Sequence, residues 1–187
     1  MKLAVIFPGI GYHADKPLLY YSTKLAKACG YEIRQVPYGG FPDKVRGSKE
    51  KMQQSFELAL QQTRELLQDI QFEKYEKLLF ISKSVGTAVS GAYAKEKKID
   101  PDNIFYTPVE ETFQFLSGNG IVFHGTADPW ARTSVVKENC ERLGLPLYLT
   151  ENANHSLETG DVEADLKNLQ KIMEQTKAYI SAHGIVR

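Results

Sequence analysis

The chain has 187 residues, of which 42% are hydrophobic and 25% are charged, so it can bury a core and lacks the composition of a disordered chain. Its 23 Lys and Arg residues balance 23 Asp and Glu residues, which leaves no excess charge to attract nucleic acid or an anionic membrane surface. The two cysteines, Cys29 and Cys140, are far apart and lack metal-ligand spacing, so neither a disulfide scaffold nor a metal site is expected.

The apolar runs of the chain are all short. The first of them, LAVIFP at residues 3–8, is too short for a secretory signal, and no run approaches the ~20 residues that span a membrane. We therefore expect a soluble, cytoplasmic protein that forms one domain over residues 1–187.

Short apolar runs alternate with helical patterns along the chain, and they predict strands and helices respectively. In chain order the predicted elements are strand 3–8, helix 16–29, strand 31–38, helix 48–68, strand 77–82, helix 85–97, strand 102–107, strand 121–125, helix 133–143, strand 145–150 and helix 162–182. Residues 108–120 form either a short helix or a rim loop. The alternation predicts an α/β fold, a three-layer α/β/α sandwich around a mainly parallel sheet of about six strands.

The loops that follow the strands contain the candidate functional residues, because ligands of an open parallel sheet bind outside the carboxyl ends of its strands. The first strand is followed by PGIGYH, the third by SKSVG, the fifth by HGTADPW and the last by ENANHS. Ser84, Asp128 and His155 therefore follow three different strands, in that order along the chain.

These three residue types suit acyl transfer. A serine hydroxyl is a weak nucleophile unless a base accepts its proton, and an imidazole can do so near neutral pH. A carboxylate orients the imidazole and stabilises its cation. The small residues around Ser84 favour a tight strand-to-helix turn, and the N–H of Val85 at the start of the next helix can bind developing negative charge. A second N–H is expected from the loop at residues 9–11.

The sequence resembles the α/β-hydrolase superfamily over most of its length, in a small lidless form similar to dienelactone-hydrolase-like proteins and short carboxylesterases. SKSVGT resembles the nucleophile elbow G-x-S-x-G, FHGTADPW the segment with the acid, NANHSLE the segment with the histidine, and FPGIGY the oxyanion loop. The resemblance implies a catalytic triad of Ser84, Asp128 and His155, with the N–H groups of Ile10 and Val85 as oxyanion donors. It implies no metal and no organic cofactor.

Three features depart from the family pattern. Ser82 replaces the first glycine of the elbow, and Pro8 stands where a histidine often precedes the oxyanion glycine. The chain also has no room for the two N-terminal antiparallel strands of the full fold. The predicted function is a serine hydrolase that cleaves an ester-type bond of a small-molecule ester or thioester through an acyl-enzyme intermediate.

Aromatic residues cluster in loops on the side of the sheet where the site is expected. Tyr38, Phe41, Phe113 and Trp130, together with Phe115, either line a pocket for an apolar group or cover the sheet edge as part of the core.

Each candidate residue also has a structural interpretation. Ser84 can cap the following helix, Asp128 can form a turn, and His155 can be an ordinary loop residue, so only their combination favours catalysis. Lys83 is expected to be solvated or salt-bridged rather than to attract an anionic substrate, and His124 to be a structural histidine.

Two other functions stay open at this point. The fold can serve as a binding or interaction module with an idle triad, which the substitution at Ser82 favours. Alternatively, a flavodoxin-like protein can bind phosphate at the N-terminus of the helix after SKSVGT, although a fuller glycine-rich loop is missing there. Neither the substrate nor the oligomeric state follows from the sequence.

Overall fold

Six parallel strands form the centre of the structure, a computed structural model that describes residues 1–184. The strands are β1 (Lys2–Phe7), β2 (Glu32–Gln35), β3 (Lys77–Lys83), β4 (Asp102–Tyr106), β5 (Ile121–Gly125) and β6 (Leu147–Thr150). The helices are α1 (Pro17–Ala28), α2 (Lys49–Leu66), α3 (Val85–Lys97), α4 (Thr133–Leu143) and α5 (Val162–His183), and short 3-10 helices lie at Phe72–Lys74 and Glu110–Gln114. Among the residues described, no helix combines the length and apolar character needed to cross a membrane.

The strand order is β2-β1-β3-β4-β5-β6, and every neighbouring pair is parallel. The chain leaves β1 towards one edge of the sheet to form β2 and then returns to form β3 on the other side of β1. The carboxyl ends of β1 and β3 therefore lie side by side, with Phe7 paired to Ser82. Ligand sites of open α/β sheets lie at such a reversal of strand order, so the topology indicates the loops after β1 and β3.

Helices cover both faces of the sheet because its central strands are apolar on both sides. On β1, Ala4 and Ile6 pack against a cluster that includes residues of α1 and α5. The alternate residues Leu3, Val5 and Phe7 pack against a second cluster, which includes residues of α2 and α3. A third cluster joins β4 and β5 to α4. The three-layer α/β/α sandwich predicted from the sequence is confirmed.

Local sequence signals explain where several helices begin and end. The Ser48 hydroxyl accepts a hydrogen bond from the N–H of Lys51 and caps α2, and the Asp161 carboxylate accepts one from the N–H of Ala164 and caps α5. Helix α4 ends at Gly144, whose φ of 68° lies in the left-handed region that glycine adopts without a steric penalty.

Two strands are at least two residues shorter than predicted. Strand β2 ends at Gln35 rather than at residue 38, since after Val36, whose N–H still donates to the carbonyl of Ile6, the N–H of Tyr38 donates to the carbonyl of Val36 instead of to β1. Strand β6 begins at Leu147 rather than at residue 145, directly after Pro146. Residues 108–120, for which the sequence left two alternatives, contain the short 3-10 helix Glu110–Gln114.

A buried hydroxyl network connects the sheet to two helices on one face. The Tyr106 hydroxyl lies 2.8 Å from Oγ of Ser22 on α1 and 2.6 Å from Oγ1 of Thr176 on α5. All three side chains are buried. Since a buried polar atom without a partner costs free energy, these three hydroxyls fix α1 and α5 relative to β4.

We predict that Tyr106→Phe lowers the free energy of unfolding by about 1–3 kcal/mol, because Ser22 and Thr176 lose a buried partner. Urea unfolding followed by circular dichroism measures the change. Tyr20→Phe is the control, since Tyr20 is 42% exposed. Equal stabilities of the two variants would contradict the prediction.

Candidate active site

Ser84 occupies a strained turn between β3 and α3. Its φ is 56° and its ψ is −127°, a conformation that residues other than glycine rarely adopt and that costs about 1–3 kcal/mol. Its N–H donates to the carbonyl of Tyr106, which fixes the turn against β4. The Ser84 side chain makes no capping hydrogen bond to α3, so the turn directs the hydroxyl away from the helix it precedes.

Two glycines allow the loop after β1 to lie directly against this turn. A Cβ on Gly86 would overlap the carbonyl oxygens of Phe7 and Pro8, and a Cβ on Gly9 would lie 2.9 Å from the Cβ of Ser84. The hydroxyl of Tyr38 donates to the same Pro8 carbonyl. The segment at residues 7–9 is therefore closely packed against the start of α3.

Ser82, which departs from the elbow pattern, is accommodated within the sheet. Its side chain is fully buried, and its hydroxyl donates to the carbonyl of Ile104 on β4 at 3.3 Å. Because the hydroxyl has a partner in the neighbouring strand, a serine at this position leaves no unsatisfied polar group.

Ser84, His155 and Asp128 are joined by two short hydrogen bonds. Nε2 of His155 lies 2.7 Å from Oγ of Ser84, and Nδ1 of His155 lies 2.7 Å from Oδ2 of Asp128. With the proton on Nδ1, the imidazole donates to Asp128 and accepts from the Ser84 hydroxyl. The second oxygen of Asp128 accepts the N–H of Trp130 at 2.8 Å, which fixes the carboxylate.

The loop that contains His155 is held by the ends of two other strands. A Cβ on Gly125, the last residue of β5, would overlap the carbonyl oxygens of Ala153 and Asn154. The Thr107 hydroxyl after β4 donates to the carbonyl of His155 at 3.0 Å. The sequence contains a signal for Gly125, a glycine at the carboxyl end of a strand, but none for Thr107.

Burial lowers the pKa of His155 below its usual range, although the hydrogen bond to Asp128 opposes this shift. The imidazole is therefore neutral at pH 7 and free to accept a proton.

Burial likewise lowers the pKa of His124, against the opposing charge of Asp128. Nε2 of His124 lies 3.1 Å from the Thr133 hydroxyl, while its Nδ1 is 3.8 Å from Asp128 and forms no hydrogen bond with residues 1–184.

Lys83 is buried, which corrects the expectation that it is solvated or salt-bridged. Its side chain is 1% exposed, and its Nζ lies 4.9 Å from the centre of the Tyr12 ring, a cation–π contact. Within residues 1–184 it has no salt bridge. Burial lowers the pKa of Lys83 to about 7, against the opposing charge of Asp128. The sequence does not indicate this burial, because Tyr12 is distant along the chain.

The two expected oxyanion donors belong to segments that adjoin Ser84, since Val85 follows it in the chain and Ile10 follows Gly9, which packs against it. The N–H of Val85 is the first of α3, where helical N–H groups have no partner within the helix. Ile10 lies in the turn that the mutual hydrogen bonds of Gly9 and Tyr12 close, at 3.1 and 3.3 Å. Neither Ile10 nor Val85 donates its N–H to a backbone carbonyl in the described part of the chain.

The five aromatic candidates lie in different environments. The Trp130 ring stacks on His155 with centres 5.3 Å apart, and Tyr38 and Phe41 line a cavity of about 620 Å³ that also contacts Gly9. Phe113 is buried in the cluster between β5 and α4, and Phe115 stacks on Phe56. The first three thus border the candidate site, while Phe113 belongs to the buried core and Phe115 is half-buried against Phe56.

Three solved structures that have a similar fold are distant from this chain in sequence. XC6422 from Xanthomonas campestris, a lidless α/β serine hydrolase, is 13% identical with a TM-score of 0.64, covering 97% of this chain and 81% of its own. Est1E from Butyrivibrio proteoclasticus, solved with ferulic acid bound, is 11% identical with a TM-score of 0.70, and the match covers 98% of this chain and 89% of Est1E. The Pyrococcus furiosus esterase Pf2001 is 14% identical with a TM-score of 0.67, and the match covers 98% of this chain and 84% of Pf2001.

These similarities show that the chain has the α/β-hydrolase fold, as the resemblance of its loop motifs to that superfamily predicted. No family model matches the sequence, and no curated protein matches it. At 11–14% identity the matches define the fold alone.

We predict that Lys83→Met stabilises the protein at pH 7 and flattens its pH dependence of stability. The unfolded chain binds the Lys83 proton up to about pH 10.4, whereas the folded chain loses it near pH 7, so stability of the wild type rises with pH between those values. From pH 7 to pH 9 the free energy of unfolding should rise by about 2–3 kcal/mol more for the wild type than for the variant.

Urea unfolding at the two pH values measures this difference. Lys167→Met is the matched control, since Lys167 is exposed on α5 and its loss should leave the pH dependence of the wild type intact. If the free energy of unfolding changed equally with pH in the wild type and in Lys83→Met, this result would contradict the burial of a titrating amine.

Proposed function

We propose that the protein is a serine hydrolase that cleaves a carboxylic ester or thioester through an acyl-enzyme intermediate. The main support is the continuous path of hydrogen bonds from Ser84 through His155 to Asp128, with both distances at 2.7 Å. A nucleophile, a base in contact with it and an orienting carboxylate are the groups that acyl transfer requires.

In the first step the hydroxyl of Ser84 attacks the carbonyl carbon of the substrate. Nε2 of His155 accepts the hydroxyl proton as the bond forms. Because burial keeps the imidazole neutral at pH 7, the base is available before attack. The charge of the resulting imidazolium is balanced by Asp128, whose carboxylate contacts the other ring nitrogen.

Negative charge then develops on the substrate oxygen, and the N–H groups of Ile10 and Val85 are the proposed donors to it. Both groups lack a backbone acceptor within residues 1–184, and both belong to segments in contact with Ser84. Removing one such donor in an enzyme of this kind costs about 10²–10³ in kcat, so these N–H groups are a large part of the proposed catalysis.

The first intermediate collapses when His155 donates its proton to the leaving alcohol or thiol, which leaves the acyl group on Ser84. In the second step His155 takes a proton from the water that attacks this acyl group and then donates it to the oxygen of Ser84, so the carboxylic acid leaves and the hydroxyl is restored. These steps use groups of this chain alone, so we propose a reaction without a metal or organic cofactor.

A small-molecule substrate is supported by the cavity beside Gly9, Tyr38 and Phe41, whose volume is about 620 Å³. Its lining includes Gly9, which lies against Ser84, so a group bound there is next to the nucleophile. Pf2001, which shares the fold, is an esterase, and this supports an ester as the first substrate class to examine.

We predict that a fluorophosphonate probe adds once to the wild type and not at all to Ser84→Ala, because only an activated serine reacts with it. His155→Ala should slow labelling by about 10²–10⁴-fold through loss of the general base. Intact-mass spectrometry measures the adduct. Ser134→Ala is the control, since Ser134 is exposed at the start of α4. No adduct on the wild type would favour the binding module with an idle triad.

We predict that labelling of the wild type falls at low pH with a midpoint below about 6.5, since burial lowers the pKa of the His155 base. Trp130→Ala should move the midpoint upward, because it removes the ring stacked on His155 and admits water. The second-order rate constant of labelling, measured from pH 4 to 8, gives both midpoints. Trp130→Phe keeps an aromatic ring and should keep the wild-type midpoint. Identical profiles for all three proteins would contradict the assigned role of burial.

A further inference from the structure

A second cavity lies between the first turn of α1 and the first turns of α5. Its volume is about 350 Å³, and its lining is largely apolar. We name it the α1–α5 cavity and define it by Tyr12, Leu18, Leu157, Leu166, Leu169 and Ile172. It is separate from the cavity of Tyr38 and Phe41, with which it shares no lining residue.

The walls of the α1–α5 cavity are continuous with the two loops that hold the reacting groups. Tyr12 closes the proposed oxyanion turn through its paired hydrogen bonds with Gly9, and Gly9 lies against Ser84. On the opposite wall, Leu157 follows His155 by two residues. The cavity therefore borders both the loop with the proposed oxyanion donor Ile10 and the loop with the proposed base.

The mouth of the cavity exposes apolar side chains to solvent. Val162 is 72% exposed and Leu166 is 63% exposed, and both line the cavity from α5. Exposed apolar residues at the rim of a concave surface favour binding of an apolar group, which removes them from water.

Hydrogen bonds hold the rim of the cavity in place. The carboxylate of Asp165 accepts the N–H and the hydroxyl of Thr159 at 2.6 and 2.7 Å, and the N–H of Gly160 at 3.2 Å. On the other wall the Tyr12 hydroxyl accepts the N–H of Leu18 at 3.2 Å. A cavity fixed in this way binds a ligand without the entropic cost of ordering its own walls.

We propose that the α1–α5 cavity binds an apolar alkyl or aryl group of the ester that Ser84 cleaves. The proposal rests on the proposed function and extends it to the substrate class. The cavity has room for about ten groups the size of a water molecule or a methylene, since a water occupies about 30 Å³ of liquid. A chain of up to about eight carbons fits this space, and the group belongs to either the acyl or the alcohol side of the ester.

Chain-length dependence tests the proposal. Each methylene that enters the cavity should raise kcat/KM about fourfold, as expected for about 0.8 kcal/mol per buried methylene. One series of p-nitrophenyl esters, from acetate to octanoate, examines the acyl side, and a series of alkyl acetates, from methyl to octyl, examines the alcohol side. A rise in one series supports the proposal and identifies the side, whereas flat responses in both series overturn it.

Paired substitutions at the mouth locate the effect in this cavity. In Val162→Ser/Leu166→Ser, the ratio of kcat/KM for the six-carbon ester to that for its shortest homologue should fall about tenfold, since two apolar contacts are lost. Leu66→Ser is the matched control, because Leu66 is 39% exposed at the end of α2 and distant from the cavity lining. An unchanged ratio in the double variant overturns the proposal.

A binding measurement keeps the proposal independent of turnover. In Ser84→Ala, 1-hexanol should shift the amide NMR signals of residues 157–172, and the two serine substitutions added to this background should weaken that binding several-fold. If the wild type is neither labelled nor active but this binding occurs, the proposed function fails while the apolar site stands.

Two outcomes of the binding measurement count against the proposal. Absence of hexanol shifts at residues 157–172 overturns it. Sedimentation can also show that the wild type is a dimer and the double variant a monomer. If hexanol does not bind either, the surface is assigned to contact with a second copy of the chain, and the proposal is overturned.

Discussion

The close contact between the loop after β1 and the first turn of α3 is the constraint on which the rest of the site depends. Gly86 allows this contact because a side chain there would overlap the carbonyls of Phe7 and Pro8. The hydroxyl of Tyr38 holds the same loop from the opposite direction. Since Ser84 lies between the two segments, its strained backbone is stabilised by tertiary packing rather than by local preference.

A second contact of the same type brings the base to the nucleophile. Gly125 allows the loop after β6 to pass over the end of β5, and Thr107 binds that loop from the end of β4. The three proposed catalytic side chains thus come from three loops, each held by a neighbouring strand end rather than by its own sequence. The parallel sheet acts as a rigid frame, and close packing of backbone on backbone sets the 2.7 Å distances within it.

Much of the fold could be predicted from the sequence because strands buried on both faces are continuous apolar runs, as in β1 and β3. The positions of Ser84, Asp128 and His155 after three different strands indicated one site, since parallel strands end at one edge. The burial of Lys83 could not be predicted, because Tyr12, whose ring its ammonium group contacts, is remote in sequence. The interior position of Phe113 likewise depends on how α4 packs on β5.

Trp130 is the single tryptophan of the chain, and its ring stacks on the imidazole of His155. All of the indole fluorescence of the protein therefore originates beside this imidazole. A protonated imidazole quenches an adjacent indole more strongly than a neutral one does, so emission intensity follows the charge on this ring directly. The protein contains an intrinsic optical reporter of the protonation of His155 that needs neither a label nor a substrate.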